Sequence, residues 1–284
     1  MFMVRQKSVE RYEENVRVGL QELFDLCKHN MPHVGDLLLC QQNGFIDYSG
    51  CPCVGLGEEG LNSMHIINSI SFNGIGEITD DDDYFTKHGN KFHKGTSEFE
   101  KGIYRQKSTY LNIWETGYFL RVFTQVVNAL NGVDYNWSLD ISKLPPNGKS
   151  KHIREQIIKR LSSASLFQEV VKTAYVGQIR NAIAHSQYHC VQGGIFYDNF
   201  NSDKYATLEG LTYEDWEKKY IYSYFIFIGL FQTLKQVKDE FYTPVSKITF
   251  SKGVPVKVPN KDKGHYETFL YPNKNGDIWR FVKV

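Results

Sequence analysis

Arg180, Asn181 and His185 place a planar cation, a carboxamide and an imidazole within six residues, in the stretch Arg-Asn-Ala-Ile-Ala-His. Histidine titrates near neutrality, so it can take a proton from one oxygen and return it to another at ordinary pH. A guanidinium stays charged and can meet two phosphate oxygens at once, a geometry that an ammonium does not match. Together they suit cleavage of a phosphodiester whose own 2′-hydroxyl is the nucleophile, which requires neither a metal nor a covalent enzyme intermediate. The imidazole would serve the 2′-oxygen and the leaving 5′-oxygen, while the guanidinium meets charge gathering on the pentavalent phosphorus. Asn181 would orient the imidazole or donate to a phosphate oxygen. The products expected are a 2′,3′-cyclic phosphate and a 5′-hydroxyl.

A helix must position these residues. Leu166, Val170, Val171, Ala174, Tyr175, Gly177, Ile179 and Ile183 recur at helical spacing. Ser165 with Gln168 three residues on gives the start a capping-box signature. The pattern predicts one helix over residues 165–185, about six turns long, with the hexapeptide on its last turns. Asn181 and His185 are four apart and share an edge, whereas Arg180 is turned from His185 by roughly 140°. One copy therefore splays the arginine and histidine apart. Two copies about a two-fold axis would bring both pairs round one cleft. The structural alternative is that His185 answers the helix dipole and Arg180 covers apolar surface.

The remaining chain predicts a mainly α protein. Residues 8–29 form an amphipathic pattern through Val9, Tyr12, Val16, Leu20, Leu23, Phe24 and Cys27, closed by Pro32. A glycine-rich, irregular region follows to about residue 95, with a hairpin expected near Asn73-Gly74. A second long helix is expected from Ser97 to Leu130, and a short basic one from Lys151 to Leu161. Tyr188 to Tyr197 reads as a hairpin around Gly193-Gly194. Tyr213 to Tyr242 reads as a long helix capped by Thr212 with Asp215. After Pro244 the period changes to that of strands, at 247–250, 254–258, 266–271 and 278–282, with an Asn275-Gly276 turn signal. These shifts divide the chain into 1–96, an N-terminal helix with an irregular/β region; 97–243, a helical bundle; and 244–284, a small antiparallel β element.

Composition narrows the class. Hydrophobic residues at 41% and aromatics at 14% describe a globular chain. Lys+Arg 33 against Asp+Glu 32 is too balanced for a protein that coats nucleic acid. It still allows contact with a few phosphates in a cleft. Lys151, Arg154 and Lys159, with Lys149, His152 and Arg160 nearby, form the clearest basic cluster, which reads either as an RNA-binding face or as a solvated helix face. Cys27, Cys40, Cys51, Cys53 and Cys190 are an odd number without the density of a disulfide framework, which points to a reducing, cytoplasmic setting. The N-terminus lacks the apolar core of a secretory signal. The apolar run from Tyr220 to Phe231 is too short to span a bilayer, so no membrane partner is expected.

Arg-Asn-x-x-x-His on the penultimate long helix of an all-α core resembles the HEPN superfamily (higher eukaryotes and prokaryotes nucleotide-binding). Its signature is an Arg, usually followed by a polar residue such as Asn, with a His after four to six intervening residues. The resemblance covers about residues 97 to 242, roughly half the chain. Composition gives about 0.02 chance occurrences of the pattern with the Asn and about 0.3 without it, so Asn181 carries most of the specificity. The resemblance implies a HEPN-like bundle and a homodimer acting as a metal-independent endoribonuclease on RNA. Arg180 and His185 would be catalytic and Asn181 assisting, with no cofactor. It also implies a toxin or antiphage defence setting, with a cognate inhibitor or antitoxin as a partner. The alternative from another class is a non-catalytic HEPN-like module that binds a nucleotide or a protein.

Other constellations carry less. Cys51-Pro-Cys53 with Cys40 and His65 lacks the second ligand pair that zinc needs. Asp80 to Asp83 has the composition of a solvated loop. Gly55-Leu-Gly57-Glu-Glu-Gly60 mimics a dinucleotide fingerprint but sets two acids where a pyrophosphate would lie. Glu115 and Arg121 are polar residues of a type that can face a site within a bundle, with a plain salt bridge as the alternative for Arg121; His189 falls past the expected helix end, in the hairpin rather than as a second cleft imidazole. The aromatic run Tyr220, Tyr222, Tyr224, Phe225, Phe227 and Phe231 reads as core, with part of it available as a dimer seam.

Overall fold

The computed structural model describes residues 3–46, 51–54, 70, 77–79, 97–145, 148–191, 194–202, 204–241, 243, 253–260, 264–272 and 279–281. The expected turns at Asn73-Gly74 and Asn275-Gly276, the Gly55–Gly60 run, the Asp80–Asp83 acids and the 247–250 strand lie outside these residues. The protein is mainly α with a small C-terminal antiparallel sheet. The chain opens with β1 (Met3–Arg5), α1 (Gln6–Asn30), α2 (Asp36–Gln42), β2 (Phe45–Ile46), β3 (Pro52–Cys53) and β4 (Glu77–Thr79). It continues with α3 (Ser97–Glu115), α4 (Gly117–Leu130), α5 (Gly148–His152), α6 (Ser165–Ala174) and α7 (Gly177–Ala184). Then come β5 (Tyr188–Val191), β6 (Gly194–Tyr197), β7 (Gly210–Thr212), α8 (Tyr213–Glu240), β8 (Val254–Asn260), β9 (Gly264–Pro272) and β10 (Trp279–Phe281).

Contacts group the chain into two interleaved units. One comprises Met1–Gly19, Ile66–Glu115 and Leu166–Ile228; the other comprises Leu20–His65, Thr116–Ser165 and Gly229–Val284. The first unit holds α3, α7, nearly all of α6, and the antiparallel sheet β5-β6-β7. Its core centres on Trp114, fully buried, which donates from Nε1 to Ser223 Oγ at 3.0 Å and meets the Tyr175 ring at 4.9 Å. Tyr110 meets Trp216 at 5.3 Å between ring centres. The capping box at the start of α8 is present, with Asp215 N–H donating to Thr212 Oγ1 at 3.0 Å. Gly194 lies against the Leu211 carbonyl, where any Cβ would collide, so β6 can approach β7 only with glycine there.

The second unit holds α2, α4, α5 and the sheet ordered β10-β9-β8. Residues Tyr118 to Leu130 of α4 are all buried, as befits a helix that is apolar on most of its circumference. Val254, Val256 and Val258 turn inward at the period of two expected for a half-buried strand. The basic segment is irregular: α5 runs into a π-type turn at Ile153–Ile158 and a 3-10 turn at Lys159–Leu161.

Two expected helices are each divided in two. The 97–130 helix breaks at Thr116, whose backbone is extended and whose carbonyl accepts from Leu120 N–H to open α4. Gly117, a poor helix former, weakens an uninterrupted helix at this point; Thr116 makes no side-chain cap bond. The 165–185 helix breaks at Val176, also extended, between α6 and α7.

Candidate functional site

The motif helix α7 is thus a separate element of two turns, and its position rests on side chains from elsewhere in the first unit. At its start the Tyr110 hydroxyl accepts from Val176 N–H at 3.1 Å and donates to the Ala174 carbonyl at 3.2 Å. One buried hydroxyl therefore satisfies two of the backbone groups freed by the break. On its inner face Gln178, 6% exposed, donates from Nε2 to the Leu208 carbonyl at 2.7 Å. Its Oε1 accepts from Leu208 N–H at 2.8 Å. This two-way pairing clamps α7 to the chain between β6 and β7. Asn199 Nδ2 adds a donation to the Gln178 carbonyl at 3.1 Å.

The end of α7 is closed by a Schellman motif. Gln187 N–H donates to the Ala182 carbonyl at 2.8 Å and Ser186 N–H to that of Ile183 at 3.3 Å. Ser186 takes the left-handed conformation, φ 54°, that glycine ordinarily supplies there. His185 is the C-cap and is exposed. Among the described residues its ring takes no hydrogen bond, so the imidazole faces solvent.

Arg180 lies one turn from the start of α7, with its side chain 13% exposed. One guanidinium nitrogen forms an ion pair with Glu115 Oε1, and the other donates to Asn181 Oδ1 at 2.7 Å. Burial lowers the proton affinity of Arg180, which still leaves a guanidinium charged at any working pH. Glu115, at the last position of α3, thus holds the arginine from outside the motif. Because Asn181 Oδ1 is turned to Arg180, its Nδ2 is the end left to donate to a ligand. Of the two roles expected for Asn181, this arrangement suits donation to a phosphate oxygen.

The structure brings Arg180, Asn181 and Glu115 into direct contact and sets His185 at the exposed end of the same helix. Arg121 has another part: in the second unit it is buried and donates to the Gly44 carbonyl at 2.7 Å. His189 lies on β5, 2.9 Å from Asp198 Oδ1 and stacked on Phe196. Lys151, Arg154 and Lys159 belong to the second unit. Lys151 and Lys159 are exposed and Arg154 is half-buried, while Lys159 lies 3.7 Å from Glu155. His152 is buried against Thr124 Oγ1 at 2.8 Å. The Thr124 hydroxyl already donates to the Leu120 carbonyl, so His152 Nε2 carries the proton. Burial, with the charge of Arg160, lowers the pKa of His152 and keeps it neutral near pH 7. Arg160 is taken up by Asn128 Oδ1 at 2.8 Å.

Among the described residues no group of three or more His, Cys, Asp or Glu is gathered to hold a metal, and no helix is long and apolar enough to cross a membrane. No family model, curated protein or solved structure matches the chain. The clamps on α7, Tyr110 and Gln178, had no signal in the sequence; Glu115 was visible only as a polar residue on a long helix.

Proposed function

We propose that the chain is a metal-independent endoribonuclease of the HEPN type, working as a homodimer whose protomers each supply Arg180 and His185 to one shared site. The observation that supports this reading most is the anchored Arg180–Asn181 pair beside an exposed His185 on one short, firmly clamped helix. In the reaction His185 moves the proton between the 2′-hydroxyl and the 5′-leaving oxygen. The Arg180 guanidinium and Asn181 Nδ2 donate to the non-bridging oxygens as charge builds on them. Glu115 sets the direction of the guanidinium and offsets part of the cost of its burial. Lys151, Arg154 and Lys159 are the proposed contacts to the RNA backbone. A toxin or antiphage role, with a cognate inhibitor as partner, follows from the HEPN resemblance. A reducing cytoplasm suits the five free cysteines.

The test is cleavage of a fluorogenic RNA with EDTA present. The wild type should cut, giving 2′,3′-cyclic phosphate ends. Arg180→Ala and His185→Ala should each lower the rate by about 10²–10⁴-fold, the usual worth of a proton shuttle or a charge-stabilising donor. Equal signal from the wild type and both variants would mark a contaminant and remove the reading. A second reading is favoured by one observation, the Glu115 carboxylate already seated on Arg180. There the module binds a nucleotide or protein without cutting, and RNA or nucleotide binding with no product in any condition would establish it.

A further inference from the structure

Lys107 and Cys190 form a second pair in the first unit, separate from the residues around Arg180. Lys107 stands on α3 and is 4% exposed. Its Nζ lies 3.1 Å from Cys190 Sγ and 3.7 Å from the centre of the Tyr188 ring. Among the described residues no carboxylate or carbonyl accepts from it. A buried ammonium without a carboxylate is costly unless a neighbour carries negative charge. Burial lowers the pKa of Lys107 and the sulfur partly offsets that. Cys190, in contrast, is exposed on β5. A small reagent can therefore reach the sulfur from solvent while the ammonium contacts it from the buried side.

We propose that Cys190 is a modification site for small hydroperoxides and that Lys107 is its positioning residue. The sulfur attacks the terminal peroxide oxygen; an S–O bond forms as the O–O bond breaks. The sulfur is oxidised by two electrons and the peroxide reduced by two. The proton given up by the thiol goes to the departing hydroxide, so hydrogen peroxide yields a sulfenic acid at Cys190 and water. The new oxygen accepts from the Lys107 ammonium and is a stronger acceptor than the sulfur that the ammonium meets now. The face of the Tyr188 ring holds the ammonium in place through a cation–π contact. This pair is independent of the ribonuclease reading.

The full chain is treated with hydrogen peroxide in the presence of dimedone, and each cysteine is read by peptide mass spectrometry. Cys51, also exposed, is the internal comparison, while Cys27 and Cys40 are buried. Cys190 should label about tenfold or more faster than Cys51, the selectivity expected of a thiol beside a fixed cation. Lys107→Met should bring Cys190 down to the rate of Cys51, and Lys107→Arg, which keeps the charge, should retain most of the advantage. Equal labelling of Cys190 and Cys51 in the wild type overturns the proposal and needs no variant. So does undiminished labelling in a folded Lys107→Met protein.

Discussion

Asp36 opens α2 with its carboxyl buried, 2% exposed, and Asp134 and Lys257 near enough to act on it. Burial is the main cause that pushes its pKa from 3.8 up to about 7; the charge of Asp134 adds to the rise and that of Lys257 opposes it. His33 approaches Asp134 at 3.6 Å in the same cluster. The folded state therefore holds the proton more tightly than the unfolded chain. The contribution of Asp36 to stability is fully present below pH 4 and is lost as pH rises to about 7, with a ceiling of ~4 kcal/mol. Asp36→Asn should leave stability near pH 4 little changed and raise it progressively towards pH 8. Urea melts across that range check this, and a gap that narrows as pH rises would refute it. Ser186 gives a simpler case, because a non-glycine residue at a left-handed helix end carries a steric cost. Ser186→Gly should raise the unfolding free energy by about 0.5–1 kcal/mol, read as a higher urea midpoint at constant m.

At the scale of elements, the placement of α7 depends on hydrogen bonds that reach across many residues of chain. Tyr110→Phe removes the hydroxyl and strands Val176 N–H and the Ala174 carbonyl, at about 1–3 kcal/mol for each buried group left unpaired. Thermal melting should show the loss, and exchange of the Val176 amide should quicken far more than that of the α6 interior. Gln178→Met should cost about 2–5 kcal/mol, since Leu208 then loses partners for both of its backbone groups. These contacts also explain what could be read beforehand. α1 and α8 were legible because their apolar faces and the Thr212 cap are local signals. The β5–β6 hairpin was legible from its Gly193-Gly194 turn, and the strands β8 and β9 from a period of two. The break at Val176 was not legible: Tyr175 and Val176 are apolar and prolong the helical pattern, while the group that stabilises the break stands 66 positions earlier. β7 was missed because three residues carry no pattern of their own, and pairing with β6 makes them a strand. At the site, Arg180, Asn181 and His185 were visible by type and spacing. The seat made by Glu115 depends on α3 ending where it does, and the break at Thr116 sets that end.

For the whole molecule, the two units are each drawn from three separate stretches, so a linear reading of the chain does not reach them. Composition speaks at this scale through a net charge of only +1, which removes long-range attraction to RNA as a general device. The proposed RNA binding would then rest on a few phosphate contacts. Replacing Lys151 and Lys159 by alanine should flatten the salt dependence of RNA binding by about one unit of slope per residue lost, whatever the RNA sequence. The proposed homodimer carries the sharpest test. On an ideal helix Arg180 and His185 would lie roughly 140° apart, so a shared cleft would draw its groups from both copies. Arg180→Ala and His185→Ala homodimers would each lack one type of group entirely. After co-refolding, the mixed dimer carries one intact arginine and one intact histidine facing the same cleft. RNA cleavage should then rise well above the sum of the two parent variants, and it should fall on dilution as the dimers dissociate. If the mixture stays as inactive as its parents while mass measurement shows the mixed dimer formed, the two side chains do not act across a two-fold axis, and the composite site is wrong.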